Sequence, residues 1–311
     1  VEVTQERRKG HDFKGCGRYG VHERRKVDDP SSRRFGTSPA VSQGHRVRSQ
    51  VGSRLVESAI LRLMSAVLSL AHARAALFDV DGTLIDSMSV LVNGLGDAIE
   101  RFAGKRPTPD EIRSLIGMPL VQQFRLYLPA STDAELETMA HYTVERYEAW
   151  KELEQPFPEA LDALRACHDA GIKTALVTSK NARELELFLE RFTHSQYVDA
   201  FVCASDVERP KPHPEPAFLA CNLLGEQPSA AVLIGDSVFD LRCARSAGIP
   251  FIGVSYGSTP HHILAAESPE LLFESPGQLS AWIDHELSTN NAKTEKRFSD
   301  PDPTASRRAT G

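Results

Sequence analysis

Cysteine, tryptophan and long apolar runs are scarce in this chain of 311 residues. No CxxC pair and no His cluster accompanies the cysteines, which argues against a zinc site or a disulfide framework and favours reduced thiols in a cytosol. The longest apolar stretch near the N-terminus, 59–73, contains Arg62 and His72 and is too short to span a bilayer. We therefore expect a cytoplasmic protein without a membrane partner. The cysteines are Cys16, Cys167, Cys203, Cys221 and Cys243.

A sustained apolar period is missing from the first 70 residues, which also differ from the rest in charge. They contain 14 Lys and Arg against 7 Asp and Glu, whereas the whole chain has a net charge of −6. Gly, Ser and Pro are spread through the segment, so it cannot bury enough surface to fold alone. We expect 1–70 to be a disordered extension, or a start assigned too early, because Met64 precedes the first strand. The polar tail, 288–311, is expected to be disordered as well.

A basic segment of this kind can also be a nucleic-acid arm or a transit peptide. Its acidic residues argue against both, so we expect no nucleic-acid partner. Apolar residues make up 41% of the whole chain, which is enough for a core of one large domain or two modest ones.

Two carboxylates, Asp79 and Asp81, close the apolar run 75–78, which is typical of a buried strand. Successive side chains of a strand point to opposite faces, so both can serve one site only where the strand ends and the backbone bends. Gly82 supplies that bend, because glycine tolerates backbone angles closed to other residues. The carboxyl ends of parallel strands are where α/β proteins place ligands. A surface turn is the alternative interpretation of this motif alone.

Three more apolar runs end in polar residues, and the four motifs together resemble the haloacid dehalogenase-like superfamily of phosphoryl-transfer enzymes. The motifs are FDVDGTL, LVTSK, RPKPHPEP and IGDSVFD, and they occur in family order within 75–275. One such motif would be weak, whereas four in order at strand ends are specific. The polar segments after the first motif are 178–180, 209–214 and 235–237.

The resemblance implies a covalent phosphoryl-transfer mechanism. Asp79 is expected to be the nucleophile that forms an aspartyl-phosphate, and Asp81 to protonate the leaving oxygen and then activate water. A phosphate monoester repels nucleophiles, so a carboxylate can attack it only where positive charge offsets that repulsion. No GxSxG motif offers a different nucleophile.

The acids at the strand ends would repel one another without a cation. Asp79, Asp236 and the main-chain carbonyl of Asp81 are expected to form a hard oxygen site, which favours Mg²⁺. Asp240 follows Asp236 by four residues and so lies on the same helical face. We expect it to orient Lys211 or the waters of the metal. An ordinary acid in the first turn of a helix is the alternative for Asp240.

Phosphate binding is expected from two further strand ends. Thr178 offers a hydroxyl group near a helix N-terminus, and Ser179 and Lys180 are expected to help at the same turn. Lys211 offers a point charge that its neighbouring prolines hold stiffly. The alternative for Lys211 is a solvated lysine in a proline-rich loop.

The pattern of elements predicts an α/β fold with a Rossmann-like, doubly wound parallel sheet and an inserted helical block, and the resemblance implies that this block is an α-helical bundle cap. Capping boxes at Thr108 and Thr132 begin two cap helices. Beyond a hinge at 156–158, helices at 159–170, 180–192, 214–224 and 238–247 alternate with strands at 172–177, 199–203, 231–234 and 250–254, which implies a parallel sheet covered on both faces. The predicted core is 71–85 with 157–287, and the predicted cap is 86–156.

A cap that closes over the site excludes water and suits a small phosphorylated metabolite. In similar family members the cap carries specificity, which makes Arg113, Gly117 and Arg125 the candidates here. For the two arginines a solvated helix face is the alternative.

We predict a magnesium-dependent phosphatase of small phosphate monoesters, similar to the phosphoglycolate phosphatase group and acting as a monomer or homodimer. A pyrophosphatase and a β-phosphoglucomutase-like isomerase are the alternatives, and the isomerase would need extra cap groups that the sequence does not reveal. Asp81 disfavours a dehalogenase. The retained catalytic positions disfavour a non-catalytic scaffold.

Overall fold

Eight strands form two sheets in the computed structural model, which describes residues 69–299. They are β1 (Ala75–Phe78), β2 (Ile85–Asp86), β3 (Gln155–Pro156), β4 (Lys173–Val177), β5 (Ala200–Val202), β6 (Ala231–Gly235), β7 (Phe251–Val254) and β8 (Leu271–Phe273). Six of them form a parallel sheet in the order β5-β4-β1-β6-β7-β8. The predicted α/β fold with a parallel sheet is therefore confirmed. The strand order reverses beside β1, and doubly wound sheets bind ligands at such a point.

Strand β1 lies in the middle of this sheet and is buried on both faces. It pairs with β4 on one side and with β6 on the other. Ala76 and Phe78 belong to one apolar cluster, whereas Ala75 and Leu77 belong to a second. This alternation explains why the strand is continuously apolar, since neither of its faces meets water.

Helices cover both faces of the sheet and form the block inserted after β2. The first face packs against α5 and α10, and the second against α7 and α8. The helices are α1 (Met88–Ala103), α2 (Pro109–Arg113), α3 (Leu120–Tyr127), α4 (Asp133–Trp150), α5 (Pro158–Asp169), α6 (Ala182–Leu189), α7 (Glu215–Leu224), α8 (Val238–Ala247), α9 (His261–Ala266) and α10 (Pro276–Ser299).

Helices α1 to α4 pack around an apolar cluster of their own, and we call this block the cap. Leu95 and Ile99 of α1 meet Phe124 of α3 and Leu136 of α4 in that cluster. The two capping boxes that the sequence predicts, at 108–111 and 132–135, are both present. The separate cluster gives the cap a core that does not depend on the sheet.

Both crossings between the sheet and the cap lie side by side. Strands β2 and β3 pair antiparallel, with Ile85 opposite Pro156. The backbone N–H of Phe157 also donates to the carbonyl of Leu84 at 2.9 Å. The hinge expected at 156–158 is thus divided between the end of β3 and the first turn of α5.

Two element boundaries differ from the sequence predictions for identifiable reasons. Helix α6 begins at Ala182 instead of 180, because Asn181 caps it in a capping box with Glu184. Helix α10 continues to Ser299, so the expectation of disorder is wrong for 288–299. That stretch has no Gly or Pro to stop a helix and includes strong helix formers.

The expectation for 1–70 falls almost entirely outside the described residues. The described part begins at Ser69, whose hydroxyl donates to Glu286 at 2.8 Å. Leu70 is buried against the first face of the sheet. Leu70 therefore packs with the core, and Ser69, although exposed, is tied to α10.

Three of the four described cysteines, Cys167, Cys221 and Cys243, are free and buried. No helix in the described part of the chain is both long and apolar enough to cross a membrane.

Candidate active site

The first strand end brings a carboxylate and a lysine together in the protein interior. Asp79 follows β1, and its backbone N–H donates to the carbonyl of Ile234 at 2.9 Å, which ties it to the end of β6. The Nζ atom of Lys211 lies 2.7 Å from Oδ1 of Asp79. Both side chains are buried. A buried charge needs a partner of opposite sign, and here the Asp79 carboxylate and the Lys211 ammonium are partners of each other.

The same lysine binds Asp240, the acid in the first turn of α8. Its Nζ atom is 2.5 Å from Oδ1 of Asp240. The other oxygen of Asp240 accepts from the hydroxyl and the backbone N–H of Ser237, which caps α8. Asp240 therefore has both oxygens occupied, one in a helix cap and one in holding Lys211.

Asp236 follows β6 and is held from the loop after β7. The backbone N–H of Ser258 donates to its Oδ2. Gly82 has a φ of +80°, and a Cβ atom there would collide with the Asp236 carboxylate. A Cβ at Gly257 would collide with the same group. The bend at Gly82 predicted from the sequence is thus present, and two glycines allow the backbone to approach Asp236 closely.

Burial and mutual repulsion act against charge on these acids. Burial raises the pKa of Asp79 well above its ordinary value, and Asp240 and Asp236 raise it further, although Lys211 lowers it. Burial, with Asp240, raises the pKa of Asp236 to about 7. Burial lowers the pKa of Lys211, but Asp240 and Asp79 outweigh it and raise the pKa above the ordinary value. The cluster thus carries more acid than one lysine offsets.

This cluster has the donors that a magnesium ion would use. Oxygen atoms of Asp79, Asp236 and Asp240 lie within 4.8 Å of one another. No described residue donates a hydrogen bond to Oδ2 of Asp79 or to Oδ1 of Asp236. Two carboxylate oxygens therefore stay available, and hard oxygen donors fit Mg²⁺. The carboxylate of Asp81 is not in the cluster, and the metal prediction for this residue rests on its main-chain carbonyl alone.

Asp81 turns its carboxylate to a second lysine. The Nζ atom of Lys180 lies 2.9 Å from each carboxylate oxygen of Asp81. Lys180 reaches this position because α6 begins only at Ala182, which leaves Lys180 in the preceding loop. The two acids of the first motif are therefore held by different lysines.

Glu184 is a further acid of the site and lies beside Lys180. It is buried, and its carboxylate accepts from the backbone N–H of Asn181 at 2.8 Å. Burial raises the pKa of Glu184 to about 7, although Lys180 and the Asn181 N–H lower it. Burial also lowers the pKa of Lys180, but Asp81 and Glu184 raise it above its ordinary value.

The loop after β4 places Thr178 and Ser179 at the same edge of the sheet as Asp79. The Thr178 hydroxyl oxygen accepts from the backbone N–H of Lys180 at 3.1 Å, and the side chain is buried. The Ser179 hydroxyl donates to the carbonyl of Gly117 at 2.6 Å. Ser179 thus links the sheet to the cap, and its hydroxyl is engaged there instead of facing a free phosphate position.

A cavity of about 40 Å³ lies between this edge of the sheet and the cap. The sheet side contributes Asp79, Asp81, Ser179, Lys180 and Glu184. The cap side is mostly apolar. It contributes Leu91, Leu95, Ile116, Gly117, Met118, Leu120, Gln123 and Tyr147.

Of the three cap residues predicted to set specificity, only Gly117 lines this cavity. Arg113 instead pairs with Asp110 at 2.8 Å on the exposed face of α2. Arg125 binds Asp133 and the carbonyl of Ser131, and so ties α3 to the start of α4. Each arginine has an acid within reach in its own part of the cap, which explains why neither is free to turn towards the site.

Five contributors to the site were missed or undervalued in the sequence. The capping box at 181–184 could have revealed that Lys180 precedes the helix and that Glu184 faces back. The roles of Gln123, Tyr147 and the Ser258 N–H depend on how the cap and the loop after β7 pack, and no local pattern signals them.

This chain is similar to known proteins in both sequence and fold. The family model described as haloacid dehalogenase-like hydrolase matches residues 76–254. A pyrophosphatase PpaX of Bacillus pumilus is 27% identical over 67% of this chain and 94% of that protein. A phosphoglycolate phosphatase of Salmonella typhimurium is 28% identical over 66% of this chain and 90% of that protein.

A solved structure of a hydrolase from Pseudomonas syringae is similar with a TM-score of 0.62. It covers 68% of this chain and 98% of its own length at 22% identity, which is a likeness of fold. The matched stretch of the family model contains Asp79, Asp81, Lys211 and Asp236, all at the carboxyl edge of the sheet. The chain belongs to the haloacid dehalogenase-like hydrolase family.

Proposed function

We propose that this protein is a magnesium-dependent phosphatase that hydrolyses small phosphate monoesters through an aspartyl-phosphate on Asp79. The observation that carries the proposal is the placement of Asp79, whose carboxylate is bound by Lys211 and lies within 4.8 Å of the acids Asp236 and Asp240. A nucleophilic carboxylate needs such positive charge nearby, because the phosphoryl group it attacks is anionic.

The residues of this chain would divide the work as follows. Asp79 attacks phosphorus, and Lys211 faces the charge that develops on the phosphoryl oxygens. Asp81 gives a proton to the leaving oxygen and later takes one from the attacking water. To do so, its carboxyl group must turn from Lys180 towards the substrate. Thr178, at the neighbouring strand end, would hold a phosphoryl oxygen.

The metal would be held by Asp79 and Asp236, with the main-chain carbonyl of Asp81. When bound, Mg²⁺ supplies positive charge to the phosphoryl oxygens. Asp240 holds Lys211 at the edge of this group and keeps the ammonium directed at Asp79.

The cap supports a small substrate. The cavity beneath it holds only about 40 Å³, and its cap side is mostly apolar. Enclosure of this kind excludes bulk water and favours attack by Asp79 on a bound ester. We therefore propose a small phosphorylated metabolite as the substrate.

A pyrophosphatase is the second candidate, and the similarity to the Bacillus pumilus pyrophosphatase PpaX favours it. The test is a panel of small phosphate esters with pyrophosphate, assayed with Mg²⁺ and with EDTA. Monoester hydrolysis that depends on Mg²⁺ supports the proposal, whereas turnover of pyrophosphate alone favours the second candidate. Undiminished turnover in EDTA would contradict the metal site, and interconversion of sugar phosphates without release of phosphate would point to an isomerase.

A further inference from the structure

The cap side of the cavity carries one polar group whose hydrogen bonding is incomplete. Gln123 of α3 lines the cavity and is only 5% exposed. Its Nε2 atom donates to the main-chain carbonyl of Met118 at 2.5 Å. Its Oε1 atom is buried without a hydrogen-bond partner. An acceptor left in this state costs free energy, so it calls for an explanation.

The orientation of this amide is fixed by its neighbour. The Met118 carbonyl can only accept, so the NH₂ group of Gln123 must face it. The free atom is therefore the oxygen, and a ligand that satisfies it must donate a hydrogen bond. Hydroxyl and ammonium groups donate, whereas an ionised carboxylate or phosphate only accepts.

The charged residues that line the cavity also favour a ligand group that donates a hydrogen bond over one that is anionic. No Lys or Arg of the cap, all of whose residues are described, lines the cavity. On the sheet side Lys180 is held by both oxygens of Asp81. Glu184 adds a further carboxylate. When Asp81 turns to the substrate, Lys180 keeps Glu184 beside it as a counter-charge. A second anionic group on the substrate would thus meet no cation from the cap, and the lysine on the sheet side would already face an acid.

We propose that the substrate is the phosphate ester of a small alcohol that carries a distal hydrogen-bond donor, uncharged or cationic, and that Gln123 binds this donor. This inference rests on the proposed phosphatase function and narrows its substrate class. It separates the protein from enzymes whose leaving group carries a carboxylate or a second phosphate. A cation in the cap would favour such groups, and here the cap side of the cavity has none and presents the Gln123 amide instead.

The test compares esters that differ only in the distal group. 2-Hydroxyethyl phosphate and phosphoethanolamine carry a donor, ethyl phosphate carries none, and phosphoglycolate and pyrophosphate carry an anion. We expect kcat/KM for the two donor esters to exceed that for each of the other three by about tenfold or more, because an unpaired buried acceptor or anion is costly. Phosphoglycolate or pyrophosphate turned over as well as the donor esters would overturn the inference.

Variants at neighbouring positions assign the effect to Gln123. Gln123→Leu should reduce the ratio of kcat/KM for 2-hydroxyethyl phosphate to that for ethyl phosphate by about tenfold. Gln122→Leu is the matched control, since Gln122 is exposed on the same helix and does not line the cavity. Its ratio should equal that of the wild type. An unchanged ratio in a folded Gln123→Leu protein would overturn the assignment.

Gln123→Lys extends the test by supplying the missing cation. It should raise kcat/KM for phosphoglycolate relative to 2-hydroxyethyl phosphate, and a fall would count against the inference. If the Gln123 variants do not fold, the order of esters in the wild type still decides.

The two proposals fail differently. Hydrolysis of no ester at all would overturn the phosphatase function and the inference with it, whereas hydrolysis in the wrong order would overturn the inference alone.

Discussion

Two buried lysines hold the two aspartates of the first motif, and their surroundings differ. Lys211 lies within the core, with Asp79 at 2.7 Å and Asp240 at 2.5 Å, and we call Lys211 and Asp79 the inner pair. Lys180 lies nearer the cap, 2.9 Å from Asp81, and we call these two the outer pair. The Nζ atom of Lys180 also lies 5.7 Å from the centre of the Phe188 ring.

The difference lies in which part of the molecule encloses each pair. Residues of the sheet edge and α8 surround the inner pair, so the core alone fixes its geometry. The outer pair lines the cavity beneath the cap, where Tyr147 of α4 is a neighbour. A nucleophile must be fixed before the substrate arrives, whereas an acid–base group must adjust to the substrate. The two pairs match these needs.

The largest effect is expected at the inner pair. Asp79→Asn removes the nucleophile and should reduce kcat by more than about 10⁴-fold. The fold should persist, because the substitution removes a buried charge whose pKa burial already raises. Steady-state kinetics and a thermal melt check both points, and Asp162→Asn on the exposed face of α5 is the control. Residual activity within tenfold of the wild type would exclude a covalent role for Asp79.

A smaller loss is expected at the outer pair. Asp81→Asn should lower kcat by about 10²–10⁴, which is the usual contribution of a general acid–base group. The loss should be greatest for esters with poor leaving groups, because these need the proton most. Rates across a series of leaving groups provide the measurement. A wild-type rate with the poorest leaving group would show that Asp81 is not the acid.

The stability of the two pairs should differ as well. Lys211→Met leaves three buried acids without their lysine and should lower the free energy of unfolding in EDTA by about 3–5 kcal/mol. Lys180→Met should cost about 1–3 kcal/mol, since Asp81 is less buried than Asp79. Urea unfolding of both variants gives the comparison. Equal losses, or the reverse order, would remove the distinction between the pairs.

The last effect is a dependence of stability on pH. Burial raises the pKa of Asp236 to about 7 from an ordinary value of 3.8. A carboxyl with a raised pKa stabilises the fold below the unfolded value and loses this contribution as the pH rises through the folded value. In EDTA, the wild type should therefore lose stability between about pH 4 and pH 7 relative to Asp236→Asn.

Thermal midpoints of both proteins at several pH values test this dependence. The midpoint of Asp236→Asn minus that of the wild type should rise steadily across the window, because only the wild type ionises there. Mg²⁺ should make this difference rise less, because the ion binds the ionised Asp236 carboxylate and so stabilises the wild type. A difference that stays constant with pH would show that Asp236 does not titrate in this range.

The positions of the sheet-edge residues could be predicted from the sequence because one rule places them. Asp79 and Asp236 each directly follow an apolar run, and the carboxyl ends of parallel strands share one edge of a sheet. Lys211 lies in the loop beyond β5, and its motif predicted it. The contacts that those residues make were then nearly inevitable, since few buried groups of opposite charge are available there.

The cap residues could not be predicted in the same way. Arg113 and Arg125 looked free in the sequence, yet acids in their own part of the cap bind both. Gln123 carries no charge and belongs to no motif. Its proposed role in binding substrate follows from its burial and from the Met118 carbonyl, which accepts a hydrogen bond from its NH₂ group and so leaves its oxygen unpaired. Such facts depend on tertiary packing, on which a local pattern carries no information.

The pairing of β2 with β3 has a consequence for how the chain finds its fold. Strands β1 and β4 are neighbours in the sheet, although the whole cap lies between them in sequence. Joining distant segments costs loop-closure entropy and slows folding. A cap with its own apolar cluster, whose ends meet at β2 and β3, shortens the remaining loop to the residues outside the cap. Once the cap has folded, the pairing of β2 with β3 therefore holds the chain segments next to β1 and β4 close together, which shortens the loop that the sheet must close.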